Sequence, residues 1–148
     1  MTFPKDSDSI SNANLFVESL EDRMMLSTVS IHASGETGQE TMNLLVDGSV
    51  VATYENVSVK QSVYTYDTDE TLSADQLRIT FTNDLYEPEN GIDRNLTVDR
   101  IVVDGQNIES EAPQNFHSGV WNPNPGQIET GFLQAETLHA NGYIEYAD

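Results

Sequence analysis

The chain has 148 residues, enough for one domain with a full hydrophobic core and a short extension. Its 6 basic and 25 acidic residues give a formal net charge of −19, which repels phosphate backbones and so excludes nucleic acid as a partner. The absence of cysteine excludes disulfides and thiol catalysis, and no apolar run is long enough to predict a membrane span.

Residues 1–27 differ in composition from the rest of the chain. The segment MTFPKDSDSISNAN is polar and predicts disorder, whereas LFVESLEDRMMLS has four apolar residues at helical spacing, Leu15, Phe16, Leu20 and Met24. The second segment resembles the LEDRRLLS-type N-terminal motif of exported and surface proteins of some environmental bacteria. This resemblance implies an extracellular or cell-surface location, and the alternative is a short amphipathic helix docked on its own domain.

Residues 28–148 read as a series of short strands. The segments STVSIHASG, QSVYTYDT and DQLRITFTN alternate apolar and polar residues, as half-buried strands do. In the last of them, Leu77, Ile79 and Phe81 fall on one face. The segment YIEYAD predicts a closing strand.

Turn residues separate these strands. The pairs Asp47-Gly48 and Asp104-Gly105, each between apolar runs, predict tight hairpins. The segment HSGVWNPNPGQIETG, rich in proline, glycine and asparagine, predicts a long loop. We therefore expect an all-β fold, a jelly-roll β-sandwich of short antiparallel strands over residues 28–148, with residues 1–27 as an N-terminal extension.

An acidic loop interrupts the strands in FTNDLYEPENGIDRNLTVDRIVVDG. If the two flanking strands are antiparallel neighbours, Asp84 and Asp93 meet at one rim of the sandwich. Calcium takes about six to eight oxygen ligands and relieves the repulsion between such carboxylates. The loop adds three further oxygen donors, the side chains of Asn83 and Asn95 and the main-chain carbonyl of Ile92. The loop therefore predicts a calcium site, the alternative being a solvated acidic loop.

The order of motifs in SGETGQETMNLLVDGSVVATY, LRITFTND, DRNLTVDRIVVDG, SEAP, GVW and ETLHANGYIEY resembles a known family. These motifs, over residues 29–146, are similar to the calcium-dependent xylan-binding modules of carbohydrate-binding module families 60 and 36. The resemblance implies a jelly roll with an incompletely coordinated calcium at its rim, which binds vicinal hydroxyls of a sugar directly.

Three ligands carry over from the family motif by position. The resemblance implies Asp84 and Asp93 as carboxylate ligands and the carbonyl of Ile92 as a backbone ligand. Glu40, in TGQE, stands where the family has the glutamate of its GGE motif. It is a candidate for a second, structural metal or for a hydrogen bond at the rim, and the alternative is an exposed glutamate at a strand start.

Two aromatic and two acidic residues are candidates for the ligand-binding surface. Tyr86 and Trp121 are available to stack on a sugar ring, although burial in the core is the favoured interpretation for Trp121. Glu87 and Glu89 offer carboxylates that would fill the coordination positions a sugar needs, and calcium would then be purely structural. The family's usual cysteine is replaced here by Ala140 in LHANGY.

The sequence predicts no enzyme. The three histidines, His32, His117 and His139, lack the spacing of a zinc site, and neither a G-x-S-x-G elbow nor a phosphate-binding loop is present. The first functional hypothesis is therefore a non-catalytic, calcium-dependent module that binds polysaccharide or cell-surface glycan. The second is a subunit of a calcium-stabilised fibre, tube or surface layer, a homopolymer in which residues 1–27 add a strand to an edge of the next copy.

Overall fold

The computed structural model describes residues 26–148, which form a two-layered β-sandwich. A five-stranded sheet has the order β12-β8-β1-β4, with β9 also paired to β8, and a six-stranded sheet has the order β11-β10-β13-β5-β2-β3. The strands are β1 (Ser27–Gly35), β2 (Glu40–Val46), β3 (Ser49–Val57), β4 (Ser62–Thr68), β5 (Leu77–Phe81), β6 (Tyr86–Glu87), β7 (Ile92–Asp93), β8 (Leu96–Val103), β9 (Gln106–Glu109), β10 (Phe116–Asn122), β11 (Gln127–Gly131), β12 (Thr137–Leu138) and β13 (Gly142–Glu145).

Two single-turn 3₁₀ helices, Ala74–Gln76 and Pro88–Asn90, complete the described elements. Within residues 26–148 no helix has the length and apolar character needed to cross a membrane. The extension and its export-type motif fall almost wholly in residues 1–25, outside the described residues, so those predictions stay predictions. Strand β1 begins at Ser27, which is buried.

The core lies between the two sheets and follows the alternation of the sequence. In β1 every second residue is fully buried, including Val29 and Ile31, and in β5 Leu77, Ile79 and Phe81 face inward. Because a strand projects successive side chains to opposite faces, this alternation turns one face of each sheet toward the other. The predicted all-β sandwich is confirmed.

Both Asp-Gly hairpins form as predicted. The φ angles are 51° at Asp47 and 84° at Gly48, and 52° and 86° at Asp104 and Gly105. Two successive residues with positive φ make the turn whose twist matches that of antiparallel strands, and aspartate followed by glycine tolerates it best. These turns join β2 to β3 and β8 to β9.

The prediction of a long loop in HSGVWNPNPGQIETG is wrong, because most of this segment forms the hairpin β10–β11. The pairing shifts by one residue between Ser118 and Val120, which makes Gly119 a β-bulge with a φ of 104°. A Cβ at this position would lie 2.7 Å from the carbonyl oxygen of Ala140, so the close approach requires glycine. Beyond the bulge the alternation changes phase, so that Val120 points inward and Trp121 outward.

The two strands that flank the acidic loop are not neighbours, contrary to the sequence-based premise. Strand β5 belongs to the six-stranded sheet and β8 to the five-stranded sheet, so the segment between them crosses from one layer to the other. On the way it folds into the separate two-stranded hairpin β6–β7, with the helix Pro88–Asn90 and Gly91 at its tip. This hairpin stands at one rim of the sandwich and carries the acidic residues.

Candidate functional site

A pocket of about 420 Å³ opens at this rim. Its walls come from the β5–β8 connection, from β10 and β11, and from the loop between β12 and β13. The lining residues are Asp84, Tyr86, Asp93, Asn95, Trp121, Ile128, His139 and Ala140. The structure therefore brings together five of the residues that the sequence proposed as metal or sugar ligands.

The hairpin β6–β7 holds the two aspartates at the same end. Tyr86 pairs opposite Asp93, and the main-chain N–H of Arg94 donates to the carbonyl of Leu85 at 2.9 Å. On the other side, the N–H of Asp84 donates to the amide oxygen of Asn141 at 2.8 Å. Asp84 and Asp93 thus meet because the connecting hairpin folds back on itself, and the pairing of β5 with β8 is not needed.

Arg94 fixes the base of this hairpin. Its guanidinium donates from Nη1 to the carbonyl of Asn83 at 3.1 Å and from Nη2 to the side-chain oxygen of Gln39 at 2.9 Å. A guanidinium holds two such partners in a fixed fork, which makes it a rigid brace. One of its contacts therefore anchors the residue that precedes Asp84, and the other anchors the turn before β2.

Two buried oxygens in the pocket accept no hydrogen bond, Oδ1 of Asp84 and Oδ1 of Asn95. Burial, together with the negative charge of Asp93, raises the pKa of Asp84 above its ordinary value. Buried polar oxygens almost always have a partner, so two unpartnered oxygens beside a second carboxylate indicate a place where a cation would fit. Carboxylate and amide oxygens are the donors that calcium prefers, and the residues present fit that ion.

His139 connects the pocket to the bulge in β10. The main-chain N–H of His139 donates to the carbonyl of Gly119 at 2.7 Å, and its ring Nδ1 accepts a hydrogen bond from the main-chain N–H of Trp121 at 2.9 Å. Burial lowers the pKa of His139, although Asp93 and Asp84 act in the opposite direction. Because Nδ1 accepts a hydrogen bond, it carries no proton, and the ring proton of this tautomer is on Nε2.

The favoured burial of Trp121 is wrong. The side chain is 45% exposed and lines the pocket, because the bulge at Gly119 turns it out of the core. Tyr86, which is 66% exposed, also lines the pocket. The two aromatic residues proposed as sugar contacts therefore both lie where a ligand would reach them.

Four other candidates lie outside the pocket lining. The amide of Asn83 accepts the N–H of Thr41 at 2.8 Å and donates to the carbonyl of Gln39 at 2.8 Å, so it ties β2 to the end of β5. Ile92 pairs opposite Glu87 in the hairpin, and Oε1 of Glu87 accepts a hydrogen bond from Asn90 at 3.1 Å. Glu89 is exposed on the 3₁₀ helix. Neither glutamate faces the two aspartates from within the pocket.

Glu40 has a different environment from the pocket residues. Its side chain is fully buried, and its two oxygens accept hydrogen bonds at 3.0–3.2 Å from the main-chain N–H groups of Thr37, Gly38, Gln39 and Asn95. Four donors satisfy the lone pairs of a carboxylate. This arrangement excludes the exposed-glutamate interpretation and favours the hydrogen-bonding role of Glu40 over the metal-ligand role.

The sequence did not point to four residues at or beside the pocket as parts of the site. Ile128 and Ala140 line it, His139 orients Trp121, and Asn141 holds the main chain of Asp84. Three of the four belong to LHANGY, which the sequence identified only as a family motif. No local pattern pointed to these roles, because the contact of His139 joins positions 18 residues apart and that of Asn141 joins positions 57 apart.

A sequence model described as a Ca-dependent, xylan-binding carbohydrate-binding module, CBM60, matches residues 28–118. The chain belongs to this family. CBM60 members are binding modules, so the predictions of a non-catalytic protein and of calcium as cofactor are confirmed. No curated protein matches the chain.

Two solved structures are similar to this CBM60 chain. The selenomethionine form of vCBM60, described with circular permutation as a link between two families of calcium-dependent carbohydrate-binding modules, is 34% identical with a TM-score of 0.64, and the match covers 80% of this chain and 87% of that one. vCBM60 in complex with galactobiose is 36% identical with a TM-score of 0.63, and the match covers 79% of this chain and 94% of that one.

Proposed function

We propose that this chain binds a neutral polysaccharide of the xylan type through a calcium ion held by Asp84, Asp93 and Asn95. The observation that supports the proposal is the pair of buried, unpartnered oxygens on Asp84 and Asn95 in an open pocket. An enclosed structural site would leave no room for a ligand, whereas this one is bordered by exposed aromatic side chains.

Calcium supplies, when bound, a centre that accepts neutral oxygens such as sugar hydroxyls. The side chains of Asp84, Asp93 and Asn95 would hold the ion at the rim. Few other protein oxygens would then compete with a sugar for its coordination positions. Asn83 and the carbonyl of Ile92 stay predicted ligands, and neither residue lines the pocket in its present form. Glu87 and Glu89 lie outside it, which favours coordination positions left open for a sugar.

The walls of the pocket provide the remaining contacts to the sugar. Trp121 and Tyr86 present aromatic surface to the apolar face of a ring. His139 contributes an N–H donor, because Nδ1 is already occupied by the N–H of Trp121. This donor would be available to a hydroxyl of a sugar bound in the pocket.

The charge of the chain favours an uncharged glycan. A formal net charge of −19 repels acidic sugars, and xylan-type backbones are neutral. The family's description as xylan-binding makes β-1,4-xylan the first ligand to test, and the galactobiose complex of vCBM60 makes galactobiose the second. Such polysaccharides are extracellular, and we infer an extracellular or cell-surface location.

Affinity electrophoresis on soluble xylan and on galactan tests this function. We expect retardation of the wild-type chain with calcium, loss of retardation with excess chelator, and recovery when calcium is restored. The variants Asp84→Ala and Asp93→Ala should run as in a gel without polysaccharide, and Glu89→Ala should run as wild type. Retardation that survives both aspartate substitutions would exclude the proposed site.

Calcium-driven assembly stays the second prediction. Its donor strand would come from residues 1–27, nearly all of which lie outside the described residues. Light scattering during a calcium titration tests it, with growth in particle size that a chelator reverses and that deletion of residues 1–25 abolishes. A particle size that stays constant up to saturating calcium would exclude it.

A further inference from the structure

The outer face of the β10–β11 hairpin carries a continuous row of side chains. Trp121 pairs with Ile128, and Ser118 pairs with Thr130. Beyond these pairs the rings of Phe116 and Phe132 contact each other edge to face, with centroids 5.1 Å apart. All of these side chains project from the same face, because the bulge at Gly119 brings Trp121 into phase with Ser118 and Phe116. We call this row the outer strip.

The outer strip begins in the pocket. Trp121 and Ile128 line the pocket, and Ile128 is 44% exposed. The strip ends at Phe132, which is 71% exposed. At about 3.3 Å per residue, the four steps from Ile128 to Phe132 span about 13 Å. This length exceeds one sugar ring, so the strip offers contacts beyond the sugar that meets the cation.

The far end of the strip packs against neighbouring side chains of the same sheet. Phe116 packs against Tyr143 on β13, with ring centroids 6.3 Å apart, and the guanidinium of Arg78 lies 4.2 Å above the ring of Tyr143. Arg78 is also paired with Glu145. Phe132 therefore lies against Phe116, which belongs to a packed row of side chains that continues to Tyr143 and Arg78.

The chemistry of the outer strip alternates. Apolar pairs stand at each end, Trp121 with Ile128 and Phe116 with Phe132, and the hydroxyls of Ser118 and Thr130 lie 3.4 Å apart between them. Each sugar of a neutral polysaccharide presents an apolar ring face and hydroxyls at the rim of that ring. The strip therefore has aromatic surface for stacking and hydroxyls for hydrogen bonding along a single line.

We propose that the glycan site extends from the pocket along the outer strip, so that the module binds an internal stretch of several sugars. This inference rests on the proposed function and specifies its ligand as a chain of neutral sugars. A second copy of the protein is the competing occupant of the strip. The formal net charge of −19 on each copy opposes that association and does not oppose an uncharged polysaccharide.

Calorimetric titration of the calcium-loaded full chain with xylobiose, xylotetraose and xylohexaose tests the extended site. We expect the affinity of the wild type to rise by roughly tenfold from the disaccharide to the hexasaccharide. Phe132→Ala should lower the affinity for xylohexaose roughly three- to tenfold and leave that for xylobiose unchanged. Val63→Ala is the matched control, since Val63 is 53% exposed on β4, away from the strip.

The outcomes separate the two proposals. Equal affinities for xylobiose and xylohexaose, or an unchanged xylohexaose affinity in Phe132→Ala, would overturn the extended site and leave the calcium pocket in place. Failure of every xylo- and galacto-oligosaccharide to bind in calcium would overturn both. A wild type that dimerises without sugar, and a Phe132→Ala variant that does not, would assign the strip to a second copy and overturn the inference.

Discussion

Glu40 and Asp84 are acidic residues connected through a single neighbour, and their environments are opposite. The main-chain N–H of Asn95 donates to Oε2 of Glu40 at 3.1 Å, whereas Oδ1 of Asn95 lies unpartnered in the pocket beside Asp84. Glu40 is fully buried and has four N–H donors. Oδ1 of Asp84 is buried and has no hydrogen-bond donor. Burial and the negative charge of Asp93 raise the pKa of Asp84.

The difference lies in hydrogen-bond satisfaction. A buried carboxylate that is saturated with N–H donors stabilises the fold and has no lone pairs for a metal. A carboxylate with an unpartnered buried oxygen and a like-charged neighbour lowers stability, and a bound cation would relieve both costs. Acidic residues at the same rim therefore differ in their hydrogen-bond donors, which a count of charges does not reveal.

Removal of the Glu40 side chain should have the largest effect on stability. We expect Glu40→Ala to lower the free energy of unfolding by about 3 kcal/mol or more, because four main-chain N–H groups lose their acceptor. Chemical denaturation in excess chelator measures the loss, with Glu36→Ala, an exposed neighbour, as the control. If Glu40 were a metal ligand instead, the variant would lose stability only when calcium is present. That result would contradict the contrast between Glu40 and Asp84.

Asp84→Ala should show the reverse pattern. Without calcium we expect a change in unfolding free energy within about 1 kcal/mol, because the substitution removes an unsatisfied oxygen as well as a side chain. At a calcium concentration 100 times the dissociation constant, the wild type should gain about 2.7 kcal/mol. The variant should gain nothing measurable. Thermal unfolding with and without calcium measures both changes. If the variant is stabilised by calcium as much as the wild type, Asp84 is not a calcium ligand.

The bulge that orients the pocket wall is open to a third test. Gly119→Ala should lower the free energy of unfolding by about 2 kcal/mol, since its Cβ would lie 2.7 Å from a carbonyl oxygen at a φ of 104°. Glycan affinity should fall more than calcium affinity, because Trp121 and His139 both depend on this position. Gly131 also has a positive φ, but a Cβ added there would have no atom within 4 Å. Gly131→Ala is therefore the control that shows how much of the effect at Gly119 comes from the steric contact.

A third acidic group should give the smallest effect. Burial and the charges of Glu111, Asp99 and Glu109 raise the pKa of Glu136. The folded state therefore binds this proton more tightly than the unfolded chain does, and stability falls as the pH rises through the raised pKa. Because the group is largely solvated, Glu136→Gln should stabilise the protein at pH 7 by only a few tenths of a kcal/mol. The gain should disappear below the ordinary pKa of glutamate in a pH series of melting curves.

Much of the fold was predictable because local signals agree with it. Alternation identified the buried faces of β1 and β5, and Asp47-Gly48 and Asp104-Gly105 fixed two hairpins through their positive φ angles. The hairpin β10–β11 was missed for a local reason. Its turn residues, concentrated in NPNPG, resemble an extended loop, and the short strands on either side are interrupted by a bulge.

The site was predictable in its acidic part and not in its walls. Asp84, Asp93 and Asn95 follow from the loop and the family motif, and all three line the pocket. The exposure of Trp121 depends on a one-residue change of phase at Gly119, and the expectation that a tryptophan packs inside a small sandwich takes no account of such a change. The contact between His139 and the N–H of Trp121 joins positions 18 residues apart, and no local pattern specifies it.

The chain contains a single tryptophan, and that residue stands on the wall of the pocket. Every photon of indole emission therefore originates beside Asp84 and Asp93, with no background from a second fluorophore of its kind. Half-exposed indole emits at a wavelength that depends on the water around it, so a ligand that displaces this water shifts the spectrum. The protein thus carries a built-in optical sensor of its own occupancy, and glycans can be screened against the unlabelled chain.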